Sequence, residues 1–350
     1  MITHKDNPAN NPAPKLTTDI PLPLTGIRVI DLGHVFQGPY ATFLMAMAGA
    51  DVIKVEPPQG EMARRRGRDG DYPFRALNGC KRGIVLNLKT ERGRELLIEL
   101  CKKADVLVEN FAPSVMKRLG LGPEVMQEAN PRLIYASGSG FGSSGPYADK
   151  IALDLTIQAM SGVMSATGEK GGRPLKAGVP VADFMSGTHL YGAIVTALFE
   201  RERTGLGRVV EVSMFESMFP TLLPAAGHAY VSKTPPKRTG NRHVADSYVP
   251  FDTFETSDGW VAIACATNEH WTNLAKAMNR QDMLADESLQ GLNGRIERID
   301  EVTEAVAQWT GARTREQVNA LCQEYHVPAA PLLDAVEILN DPHLHSRTFL

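Results

Sequence analysis

The stretch Gly26–Glu56, GIRVIDLGHVFQGPYATFLMAMAGADVIKVE, carries the fold of this chain. Ile27 to Leu32 (IRVIDL) is rich in residues that suit a pleated, buried surface, and it reads as a strand. Tyr40 to Ala48 is an apolar run of helical length, and Gly49 behind it is a residue suited to ending a helix. Asp51 to Val55 reads as a second strand. Strand, helix and strand in so short a span make a βαβ unit, the building block of a parallel sheet.

The same alternation continues outward. Ile84 to Leu88 is a strand candidate, followed by a charged amphipathic helix from about Thr90 to Lys103. Val106 to Val108 and Leu133 to Ala136 read as short buried strands. The pattern argues for an α/β fold with a Rossmann-like parallel sheet. Leu153 to Ala166 and Phe184 to Arg203 then read as helices. In the second, Leu190, Ile194 and Leu198 share one face, and the charged end leads to Gly205. Val209 to Met214 returns as a strand. Residues 231–247 are polar and contain Pro and Gly, which marks a domain boundary. Beyond it lies a smaller α+β unit. Phe251 to Glu255 and Trp260 to Ala264 flank Thr256-Ser257-Asp258-Gly259, a hairpin signal, and helices follow over Glu269 to Met278 and Thr314 to Glu324. The expected organisation is a tail over 1–20, a large domain over 21–230 and a small domain over 231–340.

Composition narrows the function classes. Of 350 residues, 43% are hydrophobic and 22% charged, enough apolar material for a large core and a smaller companion. A net charge of −3 gives no electrostatic case for nucleic acid. No apolar run reaches the length of a membrane span. The opening MITHKDNPANNPAPKLTTD lacks the apolar core of a secretory signal and reads as a loose tail. Cys80, Cys101, Cys265 and Cys322 are scattered without a CxxC pair. That spacing suits neither zinc nor a disulfide framework, and it fits a reducing cytoplasm. The histidines show no metal-ligand spacing, so no metal is expected.

Several motifs bear on binding. Gly140-Phe141-Gly142-Ser143-Ser144-Gly145 matches GxGxxG, but Pro146 follows at once and no apolar helix begins there. A dinucleotide fingerprint needs that helix N-terminus for the pyrophosphate, so the segment reads as a loop. The run Arg64-Arg65-Arg66-Gly67-Arg68 reads as a solvated loop or as a phosphate contact. Lys81, Arg82, Lys89, Lys117 and Arg118 lie near strand ends, where open α/β sheets bind ligands. Such a set of cations suits a diphosphate with an adenosine 3′-phosphate. Asp183 stands at the head of the helix Phe184 to Arg203. Its spacing fits an N-cap. It also fits a nucleophile, because the helix dipole keeps a carboxylate there ionised.

Gly26 to Glu56, Asn78 to Lys89 (NGCKRGIVLNLK), Ala104 to Leu119 (ADVLVENFAPSVMKRL), Asn130 to Gly145 and Val181 to Met214 occur in colinear order. Together they resemble the family III CoA-transferases, the group that includes formyl-CoA and carnitine CoA-transferases. The likeness runs from about Leu24 to Asn340. It implies a Rossmann-like large domain and a smaller one in a homodimer of two interlocked, ring-shaped chains. It implies coenzyme A or acyl-CoA as substrate, a small carboxylic acid as acceptor, and no tightly bound cofactor. The family's catalytic aspartate falls on Asp183, and Gln37 lies beside the first strand with a catalytic assignment. Its CoA contacts fall on Val35 and Gln37, on Leu86, Leu88 and Lys89, and on Asn110, Phe111 and Arg118. Residues 341–350 would open a C-terminal segment that returns to the large domain and is cut short at Leu350.

Two departures bear on substrate. In the formyl-CoA branch a glutamine follows the valine equivalent to Val35, where this chain has Phe36. That branch also has a glycine-rich loop, where this chain has Thr239-Gly240-Asn241-Arg242-His243. Both argue against formate and oxalate, and Phe36 points to a larger or less polar acyl pocket. The implied reaction passes CoA between acids through aspartyl anhydride and aspartyl-CoA thioester intermediates. The same fold also serves α-methylacyl-CoA racemases, which need a histidine where this chain has Leu153. A proton must leave and return on opposite faces of the α-carbon, and Leu153 cannot carry it. A CoA-binding protein without catalysis is the third alternative.

Overall fold

The computed structural model describes residues 20–65 and 71–350. The expected tail therefore lies almost wholly outside the described residues, as do Arg66, Gly67 and Arg68. Two compact units are present. The first holds the described residues up to Ser161 and Gly178–Pro220. The second holds Gly162–Ala177 and Thr221–Leu350.

The elements that build the first unit run β1 (Arg28–Asp31), α1 (Gln37–Met47), β2 (Asp51–Glu56), α2 (Tyr72–Asn78), β3 (Arg82–Val85), α3 (Glu91–Cys101), β4 (Val106–Glu109), α4 (Val115–Arg118), α5 (Pro123–Ala129), β5 (Ile134–Ser139) and α6 (Asp154–Met160). After α7 (Val163–Ala166), which belongs to the second unit, come α8 (Val181–Thr204), β6 (Val209–Ser213) and α9 (Met214–Met218). The six strands form one parallel sheet in the order β3-β2-β1-β4-β5-β6. Strand residues alternate between two cores, as a period of two demands. Val29, Val52, Val106, Val108, Ile134 and Ala136 face one core, which Ala41 and Met45 of α1 and Leu190, Ile194 and Ala197 of α8 complete. Ile30, Ile53, Val55, Leu107 and Tyr135 face the other, covered by Leu97 and Cys101 of α3, Met116 of α4 and Met126 of α5. Helices on both faces explain why these strands read as nearly continuous apolar runs.

Two elements differ from the sequence expectation. The strand expected at Ile84 to Leu88 lies at Arg82–Val85. Its ladder extends only to the Leu86 N–H, which donates to Glu56 O at 2.9 Å. Asn87 then turns the chain: its side-chain oxygen accepts from Lys89 N, and its carbonyl accepts from Thr90 N. The helix expected over Leu153 to Ala166 is broken. Gly162 has φ +87°, a left-handed conformation that an α-helix cannot continue through, so α6 and α7 are separate.

The second unit is built on an antiparallel sheet, β7 (Phe251–Thr256), β8 (Gly259–Ala264) and β9 (Ala329–Pro331). The β7–β8 pair is the expected hairpin. Phe254, Val261 and Ile263 of its strands join Trp271, Leu274, Val302, Val306, Trp309 and Val318 from surrounding helices in one core.

Candidate active site

Asp183 is the third residue of α8, not its cap. The capping position is Pro180, which offers no side-chain acceptor. The first turn is tied down by other means. Val181 N–H donates to Val179 O at 2.9 Å, Ala182 N–H donates to Asp154 Oδ1 at 2.8 Å, and Phe184 N–H donates to Pro180 O at 3.2 Å. Ser186, fully buried one turn on, donates back to Ala182 O at 2.7 Å. Asp183 itself is half-buried. A carboxylate in the first turn of a helix running to Thr204 meets the positive end of its macrodipole, which favours the ionised form.

The neighbouring loop, Gly33 to Phe36, connects β1 to α1. It leaves the sheet at the switch point between β1 and β4, where the strand order reverses and ligands of open α/β sheets bind. Val35 has φ +62°. A β-branched residue rarely adopts that conformation, and it persists only where the surroundings impose it. Glu61 imposes it here: Oε1 accepts the Val35 N–H at 2.9 Å and approaches His34 Nδ1 at 3.4 Å. Burial alone would raise the Glu61 carboxyl, but His34, the Val35 N–H and Lys54 outweigh it and hold it below its ordinary range. Asn110, expected as a CoA contact, locks the same loop. His34 N–H donates to its Oδ1 at 2.7 Å, and its Nδ2 donates to His34 O at 3.0 Å.

Beneath the loop lies a buried ion cluster. Lys81 Nζ reaches Asp31 Oδ2 at 2.9 Å and also donates to Pro39 O, Thr42 Oγ1 and Asn78 Oδ1. Lys54 Nζ donates to Gly33 O and stands 3.7 Å from Asp31 Oδ2. Burial would raise the Asp31 carboxyl, yet the two lysines hold it at about 2. Lys81 is therefore a buried structural cation rather than a phosphate contact, and Arg82 pairs with Asp51. Arg64, from the basic run, pairs with both oxygens of Glu56 and lies over the Phe74 ring.

A cavity of about 540 Å³ opens at the C-terminal ends of β1, β2 and β3. It gathers Leu86, Leu88, Lys89 and Phe111 from the expected set, with His34, Pro57 and Val115. Its size is that of a small-molecule site. Val35 and Asn110 adjoin it through His34, whose ring meets that of Phe111 at 5.1 Å. Arg118 is exposed on α4 and is not among the lining residues, although Val115 and Leu119 of the same segment are. A second cavity, about 480 Å³, lies over β4, β5 and β6 and is lined by Glu109, Phe111, Lys117, Tyr135, Ser137 and Glu211. There burial and then Glu211 push the Glu109 carboxyl up, despite hydrogen bonds from Ser137 and the Phe111 N–H.

Asp183 and Gln37 line neither cavity. The loop links the cleft residue His34 to Gln37 and packs on α8. The Phe36 ring lies 5.6 Å from that of Phe184, and Tyr40 meets Phe184 edge-on at 4.9 Å. Gln37 is buried, with Nε2 donating to Val212 O at 3.4 Å. As the first residues of α1, Gln37 and Gly38 carry amides that the helix does not use internally. A path of five residues thus runs from His34 at the cleft to Gly38 at the helix N-terminus, with Phe36 against the residue that follows Asp183.

His34, Glu61 and Asp154 were absent from the sequence-derived set. Their partners lie far along the chain, and no local motif announces them. Burial pushes the Cys101, Cys265 and Cys322 thiols up to about 12, which leaves none of the three as a thiolate nucleophile. Among the described residues no cluster of His, Cys, Asp and Glu could hold a metal, and no helix is long and apolar enough to cross a membrane.

The profile of CoA-transferase family III matches residues 24–350. The chain belongs to CoA-transferase family III. Among its curated relatives is the succinyl-CoA:mesaconate CoA-transferase of Haloarcula marismortui, 38% identical over 93% of this chain and 84% of the relative. The acetyl-CoA:oxalate CoA-transferase of Acetobacter aceti is 37% identical over 94% and 85%, and the succinate–glutarate CoA-transferase of Agrobacterium fabrum is 35% identical over 94% and 86%. Among solved structures, a CAIB/BAIF family protein from Brucella suis superposes with a TM-score of 0.85 at 34% identity, covering 94% of this chain and 88% of that one. The family III assignment makes the chain a CoA-transferase.

Proposed function

We propose that this enzyme moves coenzyme A from succinyl-CoA, or a similar short acyl-CoA, to a small dicarboxylic acid through covalent intermediates on Asp183. The observation that carries the reading is a half-buried carboxylate in the first turn of α8, beside the loop that borders a cleft of small-molecule size. Names of relatives supply the substrate class: succinyl-CoA, mesaconate, oxalate and glutarate are short acyl donors or dicarboxylic acids.

An Asp183 oxygen attacks the thioester carbonyl. The C–S bond breaks, CoA leaves as thiolate, and an aspartyl–acyl anhydride remains. The thiolate attacks Cγ of Asp183 and releases the donor acid as carboxylate, leaving an aspartyl-CoA thioester. The acceptor carboxylate attacks the same Cγ and expels the thiolate, which then takes the acceptor acyl group from the second anhydride. Asp183 is regenerated, and no electron or outside proton is needed. The covalent route replaces one difficult exchange by a series of easier steps. The carboxylate is a weak nucleophile, so positioning supplies much of the acceleration. Amides of Gln37 and Gly38 are the donors for the oxyanion. Val35, Leu86, Leu88, Lys89, Asn110, Phe111 and Arg118 are assigned to the coenzyme. Phe36 and Phe184 form an apolar wall that keeps water from anhydrides. The working form is a homodimer with interlocked chains.

The test is a transfer assay with succinyl-CoA and acetyl-CoA against mesaconate, malate, glutarate, oxalate and formate. The reading expects a dicarboxylic acid with more carbons than oxalate to give the highest kcat/KM. Transfer to formate above all others, or racemisation of a 2-methylacyl-CoA without transfer, would contradict it.

A further inference from the structure

Asp154 opens α6, yet its carboxylate serves another helix. Oδ1 accepts the Ala182 N–H at 2.8 Å, and Oδ2 accepts from Gln158 Nε2 at 2.6 Å. Gln158 is fully buried, and its Nε2 also lies 3.5 Å from Val179 O. The two side chains hold the backbone on both sides of Pro180, the residue in the capping position of α8. Asp183 follows Ala182 directly.

The arrangement answers a defect in the sequence. The second amide of a helix has no partner within that helix and is commonly satisfied by the side chain at the cap. Pro180 has no such side chain. Asp154 provides the missing oxygen from α6, and its charge both strengthens the hydrogen bond and complements the helix N-terminus. The chain between α6 and α8 leaves the first unit from Gly162 to Ala177. The clamp therefore joins two helix ends that their own covalent connection does not hold together within that unit. Each Asp154 oxygen thus accepts one hydrogen bond from within the first unit.

We propose that Asp154, steadied by Gln158, is a positioning residue that fixes the first turn of α8 and so the direction in which Asp183 presents its carboxylate to the acyl carbon. The proposal rests on reading Asp183 as the nucleophile. Misplacement of a reacting group by about 1 Å can cost about a hundredfold in rate.

The test compares Asp154→Ala, Asp154→Asn and Gln158→Leu with the parent enzyme in the transfer assay. Thr314→Ala, which removes the cap acceptor for Gln317 N in the second unit, serves as the control for a lost helix cap. Asp154→Ala is expected to lower kcat about tenfold or more while KM for the acyl-CoA stays within about twofold. Asp154→Asn, which keeps an acceptor for Ala182 N–H, should recover most of the loss, and Thr314→Ala should keep the parent kcat. Asp154→Ala at parent kcat overturns the proposal, as does a loss shared equally by Thr314→Ala. If Asp154→Ala does not fold, Gln158→Leu decides: a lower kcat at unchanged KM supports the clamp, and parent kcat removes it. Asp183→Ala assayed alongside separates the two claims. Full activity there defeats the nucleophile, whereas an inactive Asp183→Ala with a fully active Asp154→Ala defeats only the clamp.

Discussion

Phe36 lies at the turn from β1 into α1 with its ring 5.6 Å from that of Phe184. An aromatic pair of this kind contributes about 0.5–1.5 kcal/mol beyond its buried area, and here it packs against the residue that follows Asp183. Phe36→Gln should place a hydrogen-bonding amide at this wall. The expected outcome is a shift of about tenfold in the ratio of kcat/KM for oxalate over glutarate, about 1.4 kcal/mol, read from competing acceptors in one assay. An unchanged ratio would remove Phe36 from acceptor choice. At this scale the sequence was legible where it places a residue on an element. Asp183 was found at the head of the long helix, although at the third helical residue rather than at the cap. It was not legible where a residue acts through a distant one. Asp154 meets Ala182, Glu61 meets Val35, and Lys81 meets Asp31. In each case the partner is supplied by the fold, and a lysine near a strand end reads the same whether it faces a phosphate or a buried aspartate.

The α1–α8 contact brings the loop and the first turns of α8 together, and it depends on the absence of one side chain. A Cβ added at Gly187 would lie 2.8 Å from Gln37 O and 3.1 Å from Tyr40 Cδ1. Gly187→Ala must push the start of α1 away from α8 or distort Tyr40. Overpacking of this kind costs about 1–3 kcal/mol, and kcat should fall because the Gln37 and Gly38 amides move relative to Asp183. Denaturant midpoints and turnover measured on the same variant check both effects. Parent stability would show that the two helices have slack. The elements around this contact were readable because their strands carry apolar residues for both faces, α1 is an apolar run of helical length, and α8 carries Leu190, Ile194 and Leu198 on one face. β9 was not readable, since Ala329–Pro331 is too short to show a period and pairs with β8 from far along the chain. The break at Gly162 was also missed, because the apolar pattern runs on through it.

The whole chain divides into two units, and both leave apolar side chains uncovered. Ile151, Leu153 and Leu155 of the first, and Tyr230 and Val231 of the second, are each more than half exposed. Apolar side chains gathered in one patch mark a surface that meets a partner, and the proposed homodimer would cover side chains of this kind. Sedimentation should give about twice the 38.1 kDa of the chain at micromolar concentration, and a monomer that still transfers CoA would contradict the proposed assembly. The most direct measurement concerns the covalent chemistry itself. The enzyme is incubated with succinyl-CoA, treated with hydroxylamine, digested and mapped by mass spectrometry. The account predicts a hydroxamate on the Asp183 side chain, formed when hydroxylamine intercepts the anhydride or the thioester. An unmodified Asp183 in a preparation that transfers CoA at full rate would contradict it.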